Sequence, residues 1–384
     1  MINMNNAYIA GVGNTAFGRH EGRGAIDLMA EAAAKALSNA QKRRADIDGV
    51  LCGYATTLPH LMLSELFCER FSLRPAYAHS LQVGGATGAA MLMLARELVR
   101  SGRCRNVLVV AGENRLTGQT RDSSIQTLAQ VGDADFEVGN GGSVPAYYAL
   151  MASRYMHQTG VTQEDLAEFA VLMRDNAIRH PDSHLTTPIT CEDVLASKPI
   201  ATPLKLMDCC PISDGAMALV VSVEPGDAGP VRMAGAGQAH FHQHVTAMRD
   251  VMNTGAAAAA ARAFDEAGLV RDDIDYLAVY DSFTITLAML LEETGFAPRA
   301  GAADRLRRGD FYADGAQPLN THGGLLSFGH CGVAGGMAHL VEAYRQMTGQ
   351  AEGRQIARAP RHAFAHGDGG VMSSHVSLIL SREA

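Results

Sequence analysis

Three side chains in the last third of the chain have types and neighbours suited to moving a proton: Tyr280 in AVYDSFT, His330 in SFGHCGVAGG and His366 in FAHGDGG. A phenol at a strand end donates a hydrogen bond or exchanges a proton with a substrate hydroxyl. A neutral imidazole beside a glycine-rich turn can donate to an oxygen that gains negative charge, because its pKa lies close to working pH. His366 closes an apolar run beside Gly367 and is chemically suited to acid–base work. Cys331 follows His330 directly and is a candidate nucleophile or base, although small-residue packing explains it as well. Asn320 and His322 open the same glycine-rich loop, the first as a turn former and the second as a supporting residue, while Asp281 and Ser282 hold the loop after Tyr280 rather than react. In the first third, LQVGGATGAAML (residues 81–92) reads as a loop opening onto a helix N-terminus, a place that favours an anion or an activated nucleophile. Yet it holds no Cys, Ser or Lys. The alternating histidines of HFHQH (His240, His242, His244) invite a metal, but no Cys or carboxylate set accompanies them. They read as loop or interface histidines, and no metal site is expected.

What must position these residues is a duplicated unit. AYIAGVG (Ala7–Gly13) has a counterpart in VRMAGAG (Val231–Gly237), and a helix pattern follows each. RADIDGVLCGYATT (Arg44–Thr57) matches RDDIDYLAVYDSFT (Arg271–Thr284). GGATGAAMLMLARELVRSG matches GHCGVAGGMAHLVEAYRQMTG with Gly88 against Gly335, and NVLVVAGE precedes its loop as HAFAHGDGG does. Four matches in order predict two βαβαβ halves in a layered α/β/α/β/α core. The expected division is residues 1–115 for the first part of the N-terminal half, 116–230 for an inserted loop or lid region with the end of that half, and 231–384 for the C-terminal half. Ligands of open α/β sheets bind beyond the carboxyl ends of strands. A single site is therefore expected between the halves, where the 83–88 and 329–335 loops meet the strand ends at Tyr280 and His366.

Composition excludes several classes. The net charge of -8 argues against a nucleic-acid partner, and no apolar run is long enough for a membrane span. The N-terminus lacks a basic leader region, so a signal peptide is not expected. The seven Cys residues are odd in number and lack metal spacing, which suits reduced thiols in the cytoplasm. The 18 methionines read mainly as core filler.

The chain also resembles a known family. LNTHGGLLSFGHCGVAGG is similar to the thiolase pattern Asn-x-x-Gly-Gly-x-x-x-x-Gly-His-Pro-x-Gly, with Cys331 where the proline usually stands. AYIAGVGNTAFGR resembles the first strand of lipid-transfer-protein (sterol carrier protein x)-type thiolases, and PLKLMDCCPISDGAMALVVS the segment before the second half. YDSFT falls where thiolases carry Asn-Glu-Ala-Phe or His-Asp-x-Phe, and HGDGG where many have Cys-x-Gly-x-Gly. GGATG lies where they have Cys-Ala-x-Gly, so Gly85 stands in the place of the acylated Cys. The resemblance implies the five-layered thiolase fold, a homodimer or higher oligomer, acyl-CoA substrates with coenzyme A as part of the substrate, and no tightly bound cofactor.

Glycine cannot take an acyl group. The resemblance to thiolase-like steroid side-chain aldolases implies a reaction at the Cα–Cβ bond without an acyl-cysteine, most simply retro-aldol cleavage of a 3-hydroxyacyl-CoA with a bulky β-substituent. Tyr280, with His366, would handle the β-hydroxyl proton. His330 and amides near Gly85 or Gly367 would hold the enolate, with Asn320, His322 and Ser282 around them. A small zinc-ribbon/OB-fold partner is implied by the same resemblance. Two alternatives stay open: a 3-oxoacyl-CoA thiolase or acetyl-CoA acyltransferase using another thiol such as Cys331, and a non-catalytic acyl-CoA-binding or scaffold subunit.

Overall fold

A computed structural model describes residues 6–383 of the chain. The first half runs β1 (Tyr8–Asn14), α1 (Ala25–Asn39), β2 (Gly49–Gly53), α2 (Leu63–Arg70), β3 (Tyr77–Leu81), α3 (Thr87–Arg100) and β4 (Asn106–Asn114). A long excursion follows with α4 (Arg121–Ala129), α5 (Val144–Thr159), α6 (Gln163–Ile178), α7 (Cys191–Ala196) and the small hairpin β5 (Pro199–Ala201) and β6 (Leu204–Lys205). It returns through β7 (Asp214–Ser222). The second half runs β8 (Val231–His240), α8 (Ala256–Ala267), β9 (Tyr276–Val279), α9 (Thr284–Glu293), α10 (Ala302–Arg307), α11 (Val333–Thr348), β10 (His362–Gly369) and β11 (Ser374–Arg382).

The strands lie in the order β3-β2-β4-β7-β1-β8-β11-β10-β9. From the centre outward, β1-β7-β4-β2 mirrors β8-β11-β10-β9, and both outer pairs, β4 with β2 and β10 with β9, are parallel. This is the duplication expected from sequence. The seam between the halves is narrow: among the described residues, β1 pairs with β8 through Tyr8 with Arg232 and Ile9 with Val231. The repeated glycines have a packing cause. A Cβ built on Gly13 would lie 2.3 Å from the Ala32 carbonyl of α1, and one on Gly235 would lie 2.0 Å from the Ala263 carbonyl of α8. Each helix thus rests its backbone directly on its first strand.

Three apolar layers follow. The central one joins α3 and α11 to Val107, Val109, Leu219, Ala363, Ala365 and Leu378, residues from both halves. Helix α11 is buried on nearly every side and is rich in small residues, as a helix between two sheet faces must be. Outside, α1 and α2 cover the first half. The other outer layer holds α8 and α9 and also Tyr148, Phe169 and Leu172 from α5 and α6. The expected five-layered α/β/α/β/α arrangement is what the chain adopts. The aromatic residues of the inserted segment complete the outer layer of the second half, and the segment also holds a small apolar cluster of its own around Ala167, Ala170 and Val194. None of the described helices is long and apolar enough to cross a membrane.

Candidate active site

Beyond the carboxyl ends of β2, β9 and β10, the turn that opens α3 meets the turn that leaves β10. The approach is close on both sides. A Cβ on Gly84 would lie 2.7 Å from the Gly370 nitrogen, and one on Gly369 would lie 2.1 Å from the Val83 carbonyl oxygen. Gly84 has φ of +58°, which favours glycine at that position.

Gly85 sits at this contact. A Cβ built on it would lie 2.2 Å from Tyr280 Oη and 2.4 Å from the main-chain oxygen of Asp368. The room a nucleophile's side chain would need is filled by the tyrosine hydroxyl.

Tyr280 follows β9 directly, and its amide donates to the His366 carbonyl at 3.0 Å. Asn320, at φ +44°, grips the residue before it: its Oδ1 accepts the Val279 N–H at 2.9 Å and its Nδ2 donates to the Val279 carbonyl at 2.7 Å. Asp281 is buried and accepts the Leu325 amide at 2.7 Å, with His339 Nε2 at 3.3 Å. It thereby ties the end of β9 to the π-helical turn Gly324–Phe328 that leads to His330. Burial pushes the Tyr280 phenol well above its usual pKa, so it is a protonated donor at rest.

His330 completes a pair with it. Its Nδ1 accepts the Gly332 N–H at 3.2 Å, which assigns the ring proton to Nε2. Nε2 lies 3.1 Å from Tyr280 Oη. Burial, with a smaller push from Arg115, lowers the imidazole to about 3, so the pair carries no charge. His330 as a residue is half-buried. With the imidazole donating to Oη, the phenol's own proton is free for a third group, which is what a substrate oxygen requires.

The remaining residues expected from sequence fall in different places. Gly367 faces α3, where a Cβ would lie 3.1 Å from Ala86 Cα. His366 lies apart from this pair. Successive residues of a strand point to opposite faces, so with Ala365 in the central layer and Gly367 against α3, His366 points into the outer layer. There its Nδ1 bonds Ser377 Oγ at 2.8 Å and its Nε2 bonds His375 Nδ1 at 3.1 Å, while His375 Nε2 donates to the Met372 carbonyl at 3.0 Å. Both ring nitrogens are used, and none of these partners is Tyr280 or His330. Cys331 is fully buried in the central core, and burial pushes its thiol well above the usual value, keeping it a thiol. The His322 ring is buried against Phe328 and His339, its nitrogens with no hydrogen-bond partner among the described residues, and Ser282 offers its carbonyl to the Cys210 amide at 3.0 Å. In HFHQH, His240 bonds Ser374 Oγ and His242 approaches the Val371 carbonyl, so these rings brace the turn between β10 and β11.

Sequence reasoning passed over three groups here. Asp368, in the quoted HGDGG, and Tyr148, in the irregular insertion, are buried beside Tyr280. Glu113 ends β4 and its Oε2 accepts the Thr56 amide at 2.9 Å and the Thr56 hydroxyl at 2.5 Å, fixing the loop after β2. Its only sequence signal is a charge at the end of an apolar strand. Beside the site a cleft of about 900 Å³ opens, with Tyr54, Val83, Gly84 and Gly370 in its wall.

Comparison with known proteins identifies the family. Residues 237–382 match the family model described as Thiolase C-terminal domain-like. The acetyl-CoA acetyltransferase of Methanothermobacter thermautotrophicus is 30% identical over 99% of this chain and 100% of its own length. A steroid side-chain-cleaving aldolase of Thermomonospora curvata is 31% identical over 88% of this chain and 90% of its own. Among solved structures, the Ltp2-ChsH2(DUF35) aldolase superposes with a TM-score of 0.86 at 28% identity, covering 99% of each chain. The chain belongs to the thiolase family of enzymes.

Proposed function

We propose that this protein is an acyl-CoA lyase that cleaves a 3-hydroxyacyl-CoA by a retro-aldol reaction. The observation that carries the reading is the exchange at one point in space: at Gly85, where the resemblance implies the thiolase nucleophile, a tyrosine hydroxyl bonded to His330 fills the room a side chain would need. In the reaction the Cα–Cβ bond breaks, its electron pair enters the thioester as an enolate, and the β-carbon becomes a carbonyl. Tyr280 takes the β-hydroxyl proton as its own proton passes toward Cα, so no net acid or base is consumed. His330 donates to the oxygen that carries charge in transit, and the amide of Gly85 at the start of α3 supports the enolate.

Cleavage of this kind needs no free CoA, which separates it from acyl transfer. Similarity to the Ltp2-ChsH2(DUF35) aldolase supports a partner protein; in this reading the partner is a small zinc-ribbon/OB-fold protein, and the enzyme is a homodimer or higher oligomer in the cytoplasm. Panels of 3-hydroxyacyl- and 3-oxoacyl-CoA, each with and without CoA, test the reading. The expected result is release of an aldehyde or ketone without CoA consumption, and a strict requirement for CoA sinks it.

A further inference from the structure

Asp368 is a buried acid that the proposed chemistry does not use, 1% exposed at the carboxyl end of β10. Its Oδ2 lies 3.0 Å from the Tyr148 hydroxyl, and that hydroxyl also lies 3.3 Å from the Gly370 carbonyl oxygen. A phenol has one proton, and a charged carboxylate and a carbonyl are both pure acceptors. One of the two contacts would then lack a hydrogen. A protonated Asp368 satisfies both, because its carboxyl donates to the Tyr148 oxygen and Tyr148 donates to Gly370.

The surroundings favour that state. Oδ1 has no hydrogen-bond partner among the described residues, a costly position for a charged oxygen. The titratable groups that face the carboxyl are Tyr148 from α5, Tyr280 after β9 and Glu293 from α9. Burial, the largest effect, raises the carboxyl well above the usual range and Glu293 adds to the rise, outweighing the lowering by Tyr148 and by the Gly369 and Met372 amides.

We propose that Asp368 is held neutral and, through Tyr148, clamps the Gly369–Gly370 turn against the Val83–Gly84 turn, fixing the depth at which Gly85 meets Tyr280. The connection is short. The Asp368 carbonyl oxygen already touches the Gly85 position, and the Gly370 nitrogen touches Gly84. Asp368 and Tyr148 are positioning residues, and through them the inserted segment reaches the floor of the site. Only the kinetic readout below rests on the lyase reading.

Infrared difference spectra of the intact protein against Asp368→Asn at neutral pH test the proton. The expected result is a protonated-carboxyl C=O band present in the parent and lost in the variant. An asparagine donates and accepts as the neutral acid does, so Asp368→Asn should keep kcat within about three-fold, with the pH profile unchanged. Tyr148→Phe and Asp368→Ala should each lower kcat about ten-fold or more at nearly constant KM, through misplacement of the reacting groups. Absence of the carboxyl band in the parent overturns the proposal, as does an Asp368→Asn variant as slow as Tyr148→Phe. If the protein cleaves no acyl-CoA, the lyase reading fails while the infrared result still decides whether Asp368 is held neutral.

Discussion

Gly85 and Tyr280 share one volume: the hydroxyl of the second occupies the place where a side chain on the first would begin. The two come from opposite halves of the chain, one at the start of α3 and the other after β9. Restoring the thiol alone should therefore fail. Gly85→Cys should displace the phenol, break its bond to His330 and lower lyase turnover about 100-fold. Combining it with Tyr280→Asn reopens the room, and intact-protein mass spectrometry with a 3-oxoacyl-CoA should then detect an acyl adduct. An adduct on the single variant as abundant as on the double one would show that the two do not compete for space.

Tyr280→Phe removes the proton carrier and keeps the ring. Cleavage should fall by about 10²–10⁴-fold while KM changes little. Near-ultraviolet circular dichroism should remain that of the parent, which separates lost chemistry from lost fold.

Acidification should destabilise the protein through neutral buried imidazoles. His180, His330 and His375 are each pulled down to about 3 by burial, whereas in the unfolded chain a histidine titrates near 6.5. Between those values the unfolded state binds more protons, so stability falls as pH drops below about 6.5 and is fully present above it. Each such group contributes up to about 1.4 kcal/mol per pH unit in that window. Thermal melts from pH 8 to pH 5 should show a flat Tm followed by a steep fall. A Tm independent of pH across 5 to 6.5 would contradict the assignment.

His366→Ala should cost stability, not chemistry. It strips one partner each from Ser377 and His375 in a buried chain, at about 1–3 kcal/mol per group left unpaired. Denaturant titration should show the loss, while kcat of the folded fraction stays within about three-fold. A kcat loss matching that of Tyr280→Phe would return His366 to the reaction.

Cys331→Ala should leave turnover intact, and iodoacetamide should leave the folded protein largely active. The thiol is wholly enclosed and unionised, so it neither reacts nor contributes a base. The variant's expected change is a Tm drop worth about 1 kcal/mol from the small cavity.

The fold was legible because its repeats carry packing constraints. Gly13 and Gly235 are visible in sequence since each must let a helix backbone touch its strand. The meeting of Gly85, Tyr280 and His330 followed from the strand ends that the duplication predicts. His366 faces the outer layer, which the sequence does not show, because a strand reverses its facing at every residue and the apolar run HAFAHG does not reveal which face looks inward. Tyr148 was beyond reach for another reason. It arrives from an irregular insertion with no counterpart in the other half, so no symmetry points to it. Asp368 stood in plain view within HGDGG, but its burial and its neighbour are tertiary facts.

The close contact of position 85 with position 280 also bears on ancestry. A side chain at one and a phenol at the other exclude each other, so neither exchange is tolerable long without its complement. Lineages that pass between acyl transfer and carbon–carbon cleavage must change both positions nearly together, or pass through a glycine facing a smaller residue. That intermediate would have an empty space and neither activity in full, making it the narrow bridge between two enzymes built on one scaffold.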